Sequence, residues 1–338
     1  MSTPPPLVEL HLHLEGTLEP DFIMRAAQKN GIDLPWTSVE DLRSRYEFSD
    51  LQSFLDPYYA NVSVLRERED FSQMVHEYLR RAQAAGVRHA EVSLDLQVHT
   101  SRGVPMEVAF GGVRDALDVA EEWYGITTRF IVSFLRDRPA AEAADLLRRL
   151  IATGARFDGI GLDSAEAGYP PALFTEVYEI ARQHGLRRTA HAGEEGPAEY
   201  IRQALDLLHA ERIDHGNRSL EDDALVDRLV RERVPLAVCP LSNVRLRVVD
   251  VIEEHPLVRM LERGMQVSVH SDDPAYFGGY VDENLAAVRD ALAISPAQEE
   301  TLLRNAVDAA FADADRRAQL HAEIDLWIEQ CGRGTDAT

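Results

Sequence analysis

Eight short apolar or β-branched runs recur along the chain of 338 residues. Most of them are separated by roughly 20 to 30 residues with the apolar and charged spacing of helices. Strand-like runs that alternate with helices are typical of parallel βαβ units, and eight such units close a (β/α)8 TIM barrel. A doubly wound open sheet is the alternative, but it would not readily bring the first and last strands together. The eight runs are Leu7 to His13, Arg88 to Asp95, Thr128 to Leu135, Gly159 to Asp163, Arg187 to His191, Arg212 to His215, Pro235 to Cys239 and Gln266 to His270.

The first two runs are unusually far apart, with about 75 residues between them. Helical patterns are predicted there over Asp21 to Lys29, Glu40 to Tyr46, Leu51 to Asn61 and Glu69 to Ala85, with breaks at Gly31, Pro35 and Pro57. We therefore expect residues 1–338 to form a single barrel domain with a helical insertion over residues 14–87. That insertion is expected to lie near the barrel mouth, where it would exclude water, or else to pack on the barrel side. Residues 332–338 are predicted to form a flexible tail.

The charge of the chain limits the partners that it can bind. A net charge of -23 repels nucleic acid and anionic lipid surfaces. The N-terminus carries no leader pattern and no apolar run approaches 18 residues, so we expect a soluble cytoplasmic protein that does not enter a membrane. Cys239 and Cys331 lie far apart without a C-x-x-C spacing, which supports neither a disulfide framework nor a cysteine zinc site. The sequence is also compatible with a homo-oligomer.

Histidines and acids stand at the ends of the predicted strands, where a barrel of this kind places its site. His11 and His13 are spaced i, i+2 and so share one face of the first strand. Closure of the barrel brings them beside Asp272, which follows the last strand, while His191 ends the fifth. Three imidazoles and one carboxylate suit Zn²⁺ or a similar ion, with room for a water whose pKa the ion lowers. A histidine satisfied within the core is the alternative reading of His191.

Two further groups have the chemistry of proton transfer. Glu194 follows His191 by three residues in a glycine-containing turn, and burial in a covered pocket would raise its pKa. Such a carboxylic acid suits proton donation to a bound heterocycle, although it could instead be a solvated loop residue or cap the helix after Pro197. Glu195 is more readily structural. His215 ends the sixth run, where it could orient or deprotonate the water, or could be a core histidine.

Asp272 and Asp273 are adjacent acids followed by Pro274. On an extended segment they cannot both face the same way. One can bind the metal while the other faces the substrate, and an N-cap is the alternative for either.

Four motifs in this order resemble the adenosine and adenine deaminase family of zinc hydrolases, and the resemblance covers nearly the whole chain. They are Val8 to Leu18 with its His-Leu-His core, His191 to Glu194, Arg212 to Gly216, and Ser271 to Pro274.

The resemblance implies a barrel of the metal-dependent hydrolase type with one zinc ion per chain. The implied zinc ligands are His11, His13, His191 and Asp272. It further implies that Glu194 donates a proton to the purine ring, that His215 helps to activate the water, and that Asp273 holds ring nitrogen 7.

Other segments resemble the adenine deaminase branch rather than the nucleoside branch. In nucleoside enzymes the fourth strand is followed by Asp-Leu-Ala-Gly-Asp/Glu, whereas this chain has Ser164 and Glu166 with no glycine between Ala165 and Glu166. We therefore predict that Ser164 and Glu166 bind the substrate, and that the Glu166 carboxylate accepts a ring N–H that only a free base has. The segments are residues 96–103, 161–166, 194–197, 239–243 and 274–280.

The function implied is the hydrolytic deamination of adenine to hypoxanthine and ammonia, in purine salvage, with a small purine base as the partner. The alternatives are a deaminase of adenosine or a larger adenine-bearing nucleoside, and a purine-binding barrel without catalysis. Nucleic-acid deaminases carry His-x-Glu and Pro-Cys-x-x-Cys signatures that are absent from this sequence.

Overall fold

Eight parallel strands in sequential order form the sheet at the centre of the computed structural model, which describes residues 4–335. The predicted (β/α)8 TIM barrel is confirmed, and the open-sheet alternative is wrong. The strands are β1 Leu7–Glu9, β2 Val87–Leu94, β3 Thr127–Leu135, β4 Gly159–Asp163, β5 Arg187–Ala192, β6 Arg212–His215, β7 Pro235–Val238 and β8 Gln266–Val269.

Strand β1 is shorter than the predicted run to His13. The backbone N–H of Leu10 donates to His270 Nδ1 at 3.1 Å instead of to a neighbouring strand. Pairing resumes at Leu12 and His13, which bridge to Asp272 and Ser93 respectively. The bridge from Leu12 to Asp272 closes the barrel between its first and last strands, at the end where the predicted site residues lie, and the bridge from His13 to Ser93 continues the pairing with β2.

Helices follow the strands and cover the barrel. They are α1 Pro20–Asn30, α2 Val39–Arg43, α3 Leu51–Val62, α4 Arg68–Ala85, α5 Leu96–Ser101, α6 Met106–Leu117, α7 Ala120–Tyr124, α8 Ala140–Ala152, α9 Thr175–Gln183, α10 Ala198–Asp206, α11 Asp223–Glu232, α12 Pro240–Arg245, α13 Leu257–Glu262, α14 Pro274–Phe277, α15 Val281–Leu292, α16 Pro296–Ala309 and α17 Ala314–Thr335. Helix α17 includes the first four residues of the predicted tail, and the rest of that tail lies outside the described residues. Within residues 4–335, no helix is long and apolar enough to cross a membrane.

Helices α1 to α4 form the predicted insertion between β1 and β2. The sequence predicts a helix break at Pro57. This prediction is wrong, because Pro57 lies inside the continuous helix α3. A capping box between Asp50 and Ser53 starts this helix, and Phe54 and Tyr58 on its apolar face are buried. These contributions offset the one backbone hydrogen bond that proline cannot make.

The barrel interior contains a buried ion pair below the predicted site. Arg212 Nη1 of β6 lies 2.7 Å from Glu91 Oε2 of β2, and both side chains are fully buried. Burial alone would raise the pKa of Glu91, but the charges and hydrogen bonds of Arg212 and His89 together outweigh burial and lower that pKa to about 2. Arg212 also donates to the backbone carbonyl of Leu10, so the pair supports the chain that leads into the histidine motif.

Candidate metal centre and active site

The four side chains predicted to bind metal converge at one buried point. Their ligand atoms all lie within 4.8 Å of one another. His11 Nε2 lies 3.1 Å from His191 Nε2, and Asp272 Oδ1 lies 3.3 Å from the Nε2 atoms of both His11 and His13. Donors about 2 Å from a tetrahedral ion are separated by about 3.3 Å, so three imidazoles and one carboxylate at these spacings fit Zn²⁺.

Barrel closure fixes the relative positions of these groups. The backbone N–H of His13 donates to the carbonyl of Asp272 at 3.0 Å, and the N–H of Asp272 donates to the carbonyl of His11 at 2.9 Å. Asp272 has a φ of 67°, in the left-handed region that a residue with a side chain rarely occupies. The strained turn holds the Asp272 carboxylate against both histidines.

Two carboxylates stand behind the histidines, on the side away from the ligand atoms. Asp214 Oδ2 lies 3.7 Å from His191 Nδ1, and its Oδ1 lies 4.0 Å from His11 Nδ1. Asp163 Oδ2 lies 3.5 Å from His13 Nδ1. Carboxylates in such positions orient a ligating imidazole and raise its basicity. Asp214 is not among the predicted site residues, although its alternation with Arg212 on β6 indicates that it points into the barrel.

A cavity opens beside this centre. Metal-site and acidic side chains form its floor, and apolar side chains of the insertion form its cover. His13, His191, Glu194, Asp272 and Asp273 belong to the floor, and Leu51, Phe54, Leu55, Tyr58 and Tyr59 of α3 belong to the cover.

Glu194 lies on the cavity floor and is buried. Its Oε1 atom has no hydrogen-bond partner within the part of the chain that the structure describes, and its Oε2 atom lies 3.5 Å from His215 Nε2. Burial raises the pKa of Glu194 well above its usual value, and the negative charges of Asp272 and Glu166 raise it further. A protonated carboxyl facing a cavity is suited to donate a proton to a bound ring.

Glu166 has a different position from the one that the sequence predicted. Its Oε1 accepts the backbone N–H of Gly193 at 2.7 Å, and its Oε2 accepts those of residues 194, 195 and 196 at 3.0, 2.9 and 2.8 Å. A Cβ on Gly196 would lie 2.7 Å from the Glu166 carboxylate carbon, so the loop can close around it only with glycine there. Glu166 is fully buried and does not line the cavity. The predicted contact with a ring N–H is thus corrected: these hydrogen bonds hold the loop that carries Glu194.

Ser164 does line the cavity, as predicted for a substrate-binding residue. Its φ of 69° turns the chain sharply after β4, and its hydroxyl has no hydrogen-bond partner among residues 4–335.

The two adjacent acids after β8 diverge. Asp272 Oδ2 accepts the Ser242 hydroxyl at 2.6 Å while its Oδ1 faces the histidines. Asp273 Oδ1 is buried and, within the described chain, has no hydrogen-bond partner. A Cβ on Gly16 would lie 2.2 Å from this oxygen, which explains the glycine in the first motif. Burial and the charge of Asp272 raise the pKa of Asp273 well above its usual value.

Asp95 and Asp163 add a second pair of acids to the cavity wall, at the ends of β2 and β4. Both end predicted strands, but neither is among the predicted site residues. Burial raises the pKa of Asp163 to about 6, and burial together with the charge of Asp163 raises that of Asp95 well above its usual value. Glu15 of the first motif supports this pair, because its carboxylate accepts the backbone N–H of Asp95 at 3.0 Å.

His215 ends β6 and packs against the rings of His11 and His191. Its Nε2 lies 3.8 Å from Asp272 Oδ2, and its Nδ1 lies 3.2 Å from Asn243 Nδ2. Burial and the neighbouring His11 lower the pKa of His215 to about 3, so the imidazole is neutral. Asn243 was part of a motif that resembled the family, but its contact with His215 depends on the path of the loop after β7.

A barrel with a His/Asp centre at the carboxyl ends of its strands is the arrangement of metal-dependent hydrolases. Residues 6–327 match the model of the adenosine deaminase family, and the chain belongs to that family. It is accordingly a hydrolytic deaminase.

Within this family, the chain is similar in sequence to proteins named adenine deaminase. The chain is 52% identical to the adenine deaminase of Streptomyces coelicolor over 329 residues, which cover 96% of each protein. It is 50% identical to the adenine deaminase of Rhodospirillum rubrum over 319 residues, or 94% of this chain and 96% of that relative.

Solved structures show the same similarity. The crystal structure of adenine deaminase from Arthrobacter aurescens is 54% identical, superposes with a TM-score of 0.95, and is matched over 96% of this chain and 99% of its own. An amidohydrolase from Burkholderia ambifaria with bound Zn is 27% identical, with a TM-score of 0.90 and coverage of 97% of this chain and 93% of that one.

Proposed function

We propose that this chain hydrolyses adenine to hypoxanthine and ammonia. The observation that carries the proposal is one cavity in which a cluster of four metal-type ligands meets a buried carboxyl of raised pKa, Glu194. Full-length similarity to proteins named adenine deaminase supports the choice of substrate.

We assign one Zn²⁺ per chain to His11, His13, His191 and Asp272. The donor set and its spacing support this assignment, and a similar structure carries Zn. When bound, the ion supplies an activated water and neutralises the negative charge that develops on the reacting oxygen.

The residues of the chain supply the remaining chemistry. Glu194 donates its proton to the purine ring, which makes ring carbon 6 electrophilic. Oxygen from water then forms a bond to carbon 6, and one water proton passes to a base of the site. The bond from carbon 6 to the amino nitrogen breaks, the second water proton leaves with the amino group as ammonia, and carbon 6 keeps the oxygen as the carbonyl of hypoxanthine. Asp273 holds ring nitrogen 7, for which its protonated carboxyl is a suitable donor, and Ser164 contacts the purine from the wall of the cavity.

We assign the cover of this cavity to the insertion of residues 14–87 within a single domain. The apolar face of α3 excludes bulk water from the site and strengthens the electrostatic interactions within it. In the cell we place the enzyme in the cytoplasm, in purine salvage, with a free purine base as its small-molecule partner.

The choice of substrate is tested by incubating zinc-loaded protein with adenine or with adenosine at the same concentration and measuring the ammonia released. We expect rapid release from adenine and little from adenosine. The reverse result would move the enzyme to the nucleoside branch while leaving the metal and acid roles intact. Binding of adenine without ammonia release would overturn catalysis itself.

A further inference from the structure

A chain of hydrogen bonds leads from the protein backbone to the far side of His215. It runs from the N–H of Leu257 through His255 and Asn243 to His215 Nδ1, and we call these four residues the Asn243 relay. Leu257 N lies 3.2 Å from His255 Nδ1, His255 Nε2 lies 3.1 Å from Asn243 Oδ1, and Asn243 Nδ2 lies 3.2 Å from His215 Nδ1. All three side chains are buried.

The direction of the first bond is set by the backbone. A backbone N–H can only donate, so His255 Nδ1 accepts from Leu257 and carries no proton. Burial lowers the pKa of His255 to about 4, and the ring is neutral at pH 7. A neutral imidazole has one proton, which therefore lies on Nε2 and faces Asn243.

The amide of Asn243 transmits this direction. Its Oδ1 accepts from His255 Nε2–H and also from Asn217 Nδ2 at 2.6 Å. Rotating the amide by half a turn would place its NH₂ group against the His255 N–H, leaving two donors facing each other. The NH₂ group therefore faces His215, and His215 Nδ1 must accept.

An imidazole whose Nδ1 accepts carries its proton on Nε2, so the proton of His215 lies on the side of the reacting groups. The atoms that face Nε2 there are Glu194 Oε2 at 3.5 Å and Asp272 Oδ2 at 3.8 Å. Asp272 Oδ2 is an acceptor, and Glu194 Oε2 is one when the acid proton of Glu194 lies on Oε1, so a donor at Nε2 agrees with both. The relay is independent of these contacts, because it reaches His215 through Nδ1, the other ring nitrogen.

We propose that the Asn243 relay holds His215 as its Nε2–H tautomer, so that His215 donates a hydrogen bond to the oxygen that adds to the purine instead of removing its proton. Asn243 and His255 are positioning residues that act through His215. This inference rests on the proposed function for the identity of the reaction. The proton that the water loses then passes to Glu194, which has given its own proton to the purine ring.

The tautomer can be observed directly in zinc-loaded protein with ¹⁵N-labelled histidine. Long-range ¹H–¹⁵N spectra separate protonated from bare ring nitrogens, and the signals missing from His215→Gln identify His215. We expect a protonated Nε2 and a bare Nδ1. A protonated Nδ1 in the wild-type protein would overturn the proposal, whether or not the protein deaminates adenine.

Two substitutions at His215 separate a donor from a base. Glutamine can place an amide N–H near the position of Nε2, whereas alanine offers no donor, and neither can act as a base. For a donor, His215→Gln should keep a kcat on adenine at least about tenfold above that of His215→Ala. Equal losses in the two variants would indicate a base and overturn the proposal. If the wild type released no ammonia from adenine, the proposed function would fail, but the tautomer measurement would still stand.

A matched pair at His255 tests the relay. His255→Gln can still donate an amide N–H to Asn243 Oδ1, while His255→Leu cannot. We expect His255→Leu to lower kcat by about tenfold or more and to give signals of both His215 tautomers, and His255→Gln to restore most of the rate and the single tautomer. Zinc content and KM for adenine, measured in both, detect misfolding. A His255→Leu protein that binds zinc and adenine normally and still shows only the Nε2–H tautomer of His215 would overturn the role of the relay.

Discussion

The carboxylate of Glu166 accepts the backbone N–H of Glu194 at 3.0 Å. The same carboxylate accepts three further N–H groups of the loop, so one buried negative charge organises the turn that presents Glu194 to the cavity. A carboxylate can satisfy four donors because it has only acceptor sites. The loop after β5 therefore depends on the charge of Glu166, which follows a different strand, β4.

Replacing Glu166 with glutamine should disturb this turn. The amide NH₂ would face a backbone N–H, so at least one donor would lose its acceptor inside the protein. We expect the free energy of unfolding to fall by about 3 kcal/mol and kcat to fall while zinc content is retained. Denaturant titration and metal analysis measure the two effects. Unchanged stability would show that the loop does not depend on the Glu166 carboxylate.

Glu194→Gln removes the acid without changing the shape of the side chain. Because glutamine cannot release a proton to the ring, kcat should fall by about 100-fold to 10,000-fold, with zinc content and adenine affinity preserved. The control is Glu195→Gln, whose side chain lies outside the cavity and which should stay within a few-fold of the wild type. A zinc-loaded Glu194→Gln that keeps most of its rate would contradict the acid role.

Loss of a metal ligand should have a different signature. His11→Ala or Asp272→Ala removes one of four donors and leaves the others too few to hold zinc at ordinary concentrations. We expect little bound zinc and no measurable ammonia release from either variant, and reversible loss of wild-type activity in a chelator. Full activity in metal-free wild-type protein would exclude a metal role.

Asp214 should tune metal affinity without being a ligand. Its carboxylate lies behind His11 and His191, and Asp214→Asn weakens its attraction for their Nδ1 protons. We expect zinc affinity to fall by about 10-fold to 100-fold in competition with a chelator. Asp227→Asn, on the exposed face of α11, provides the control and should leave the affinity unchanged. Equal affinities in the two variants would assign Asp214 to packing alone.

The barrel and its site could be predicted because the order of the strands determines which strand ends lie side by side. Eight alternating runs fix the order of the strands, and closure then brings Asp272 beside His11 and His13 without any knowledge of side-chain packing. The predicted break at Pro57 failed because the start of α3 and its buried face outweigh one missing hydrogen bond.

The contacts made by Glu166 and Asn243 could not be predicted in the same way. Glu166 meets a loop 27 to 30 residues further along the chain, and its hydrogen bonds depend on how that loop turns. Asn243 lies 28 residues from His215, and its amide orientation is decided by His255 on a third segment. Local sequence spacing contains neither turn geometry nor hydrogen-bond direction.

The ion pair of Glu91 and Arg212 predicts how stability depends on pH. The pKa of Glu91 is about 2 in the folded protein and about 4.5 when unfolded, so ionised Glu91 stabilises the fold above pH 4.5. That contribution is lost as the pH falls from about 4.5 to about 2. Glu91→Gln removes the nearer carboxylate of buried Arg212 and leaves it only Asp214 Oδ1 at 3.6 Å, so it should lower the free energy of unfolding by about 3 kcal/mol at pH 7.

The difference between wild type and Glu91→Gln isolates this one group, because both proteins share every other titrating residue. Measured by denaturant unfolding of metal-free protein, the difference should be constant above about pH 5.5 and shrink steadily towards pH 2. Glu77→Gln, which breaks an exposed pair with Arg25, should cost less than about 1 kcal/mol. A difference for Glu91→Gln that persists undiminished at pH 2 would mean that the loss comes from packing, since the pH-dependent contribution of ionised Glu91 to the stability of the wild type would by then be almost entirely lost.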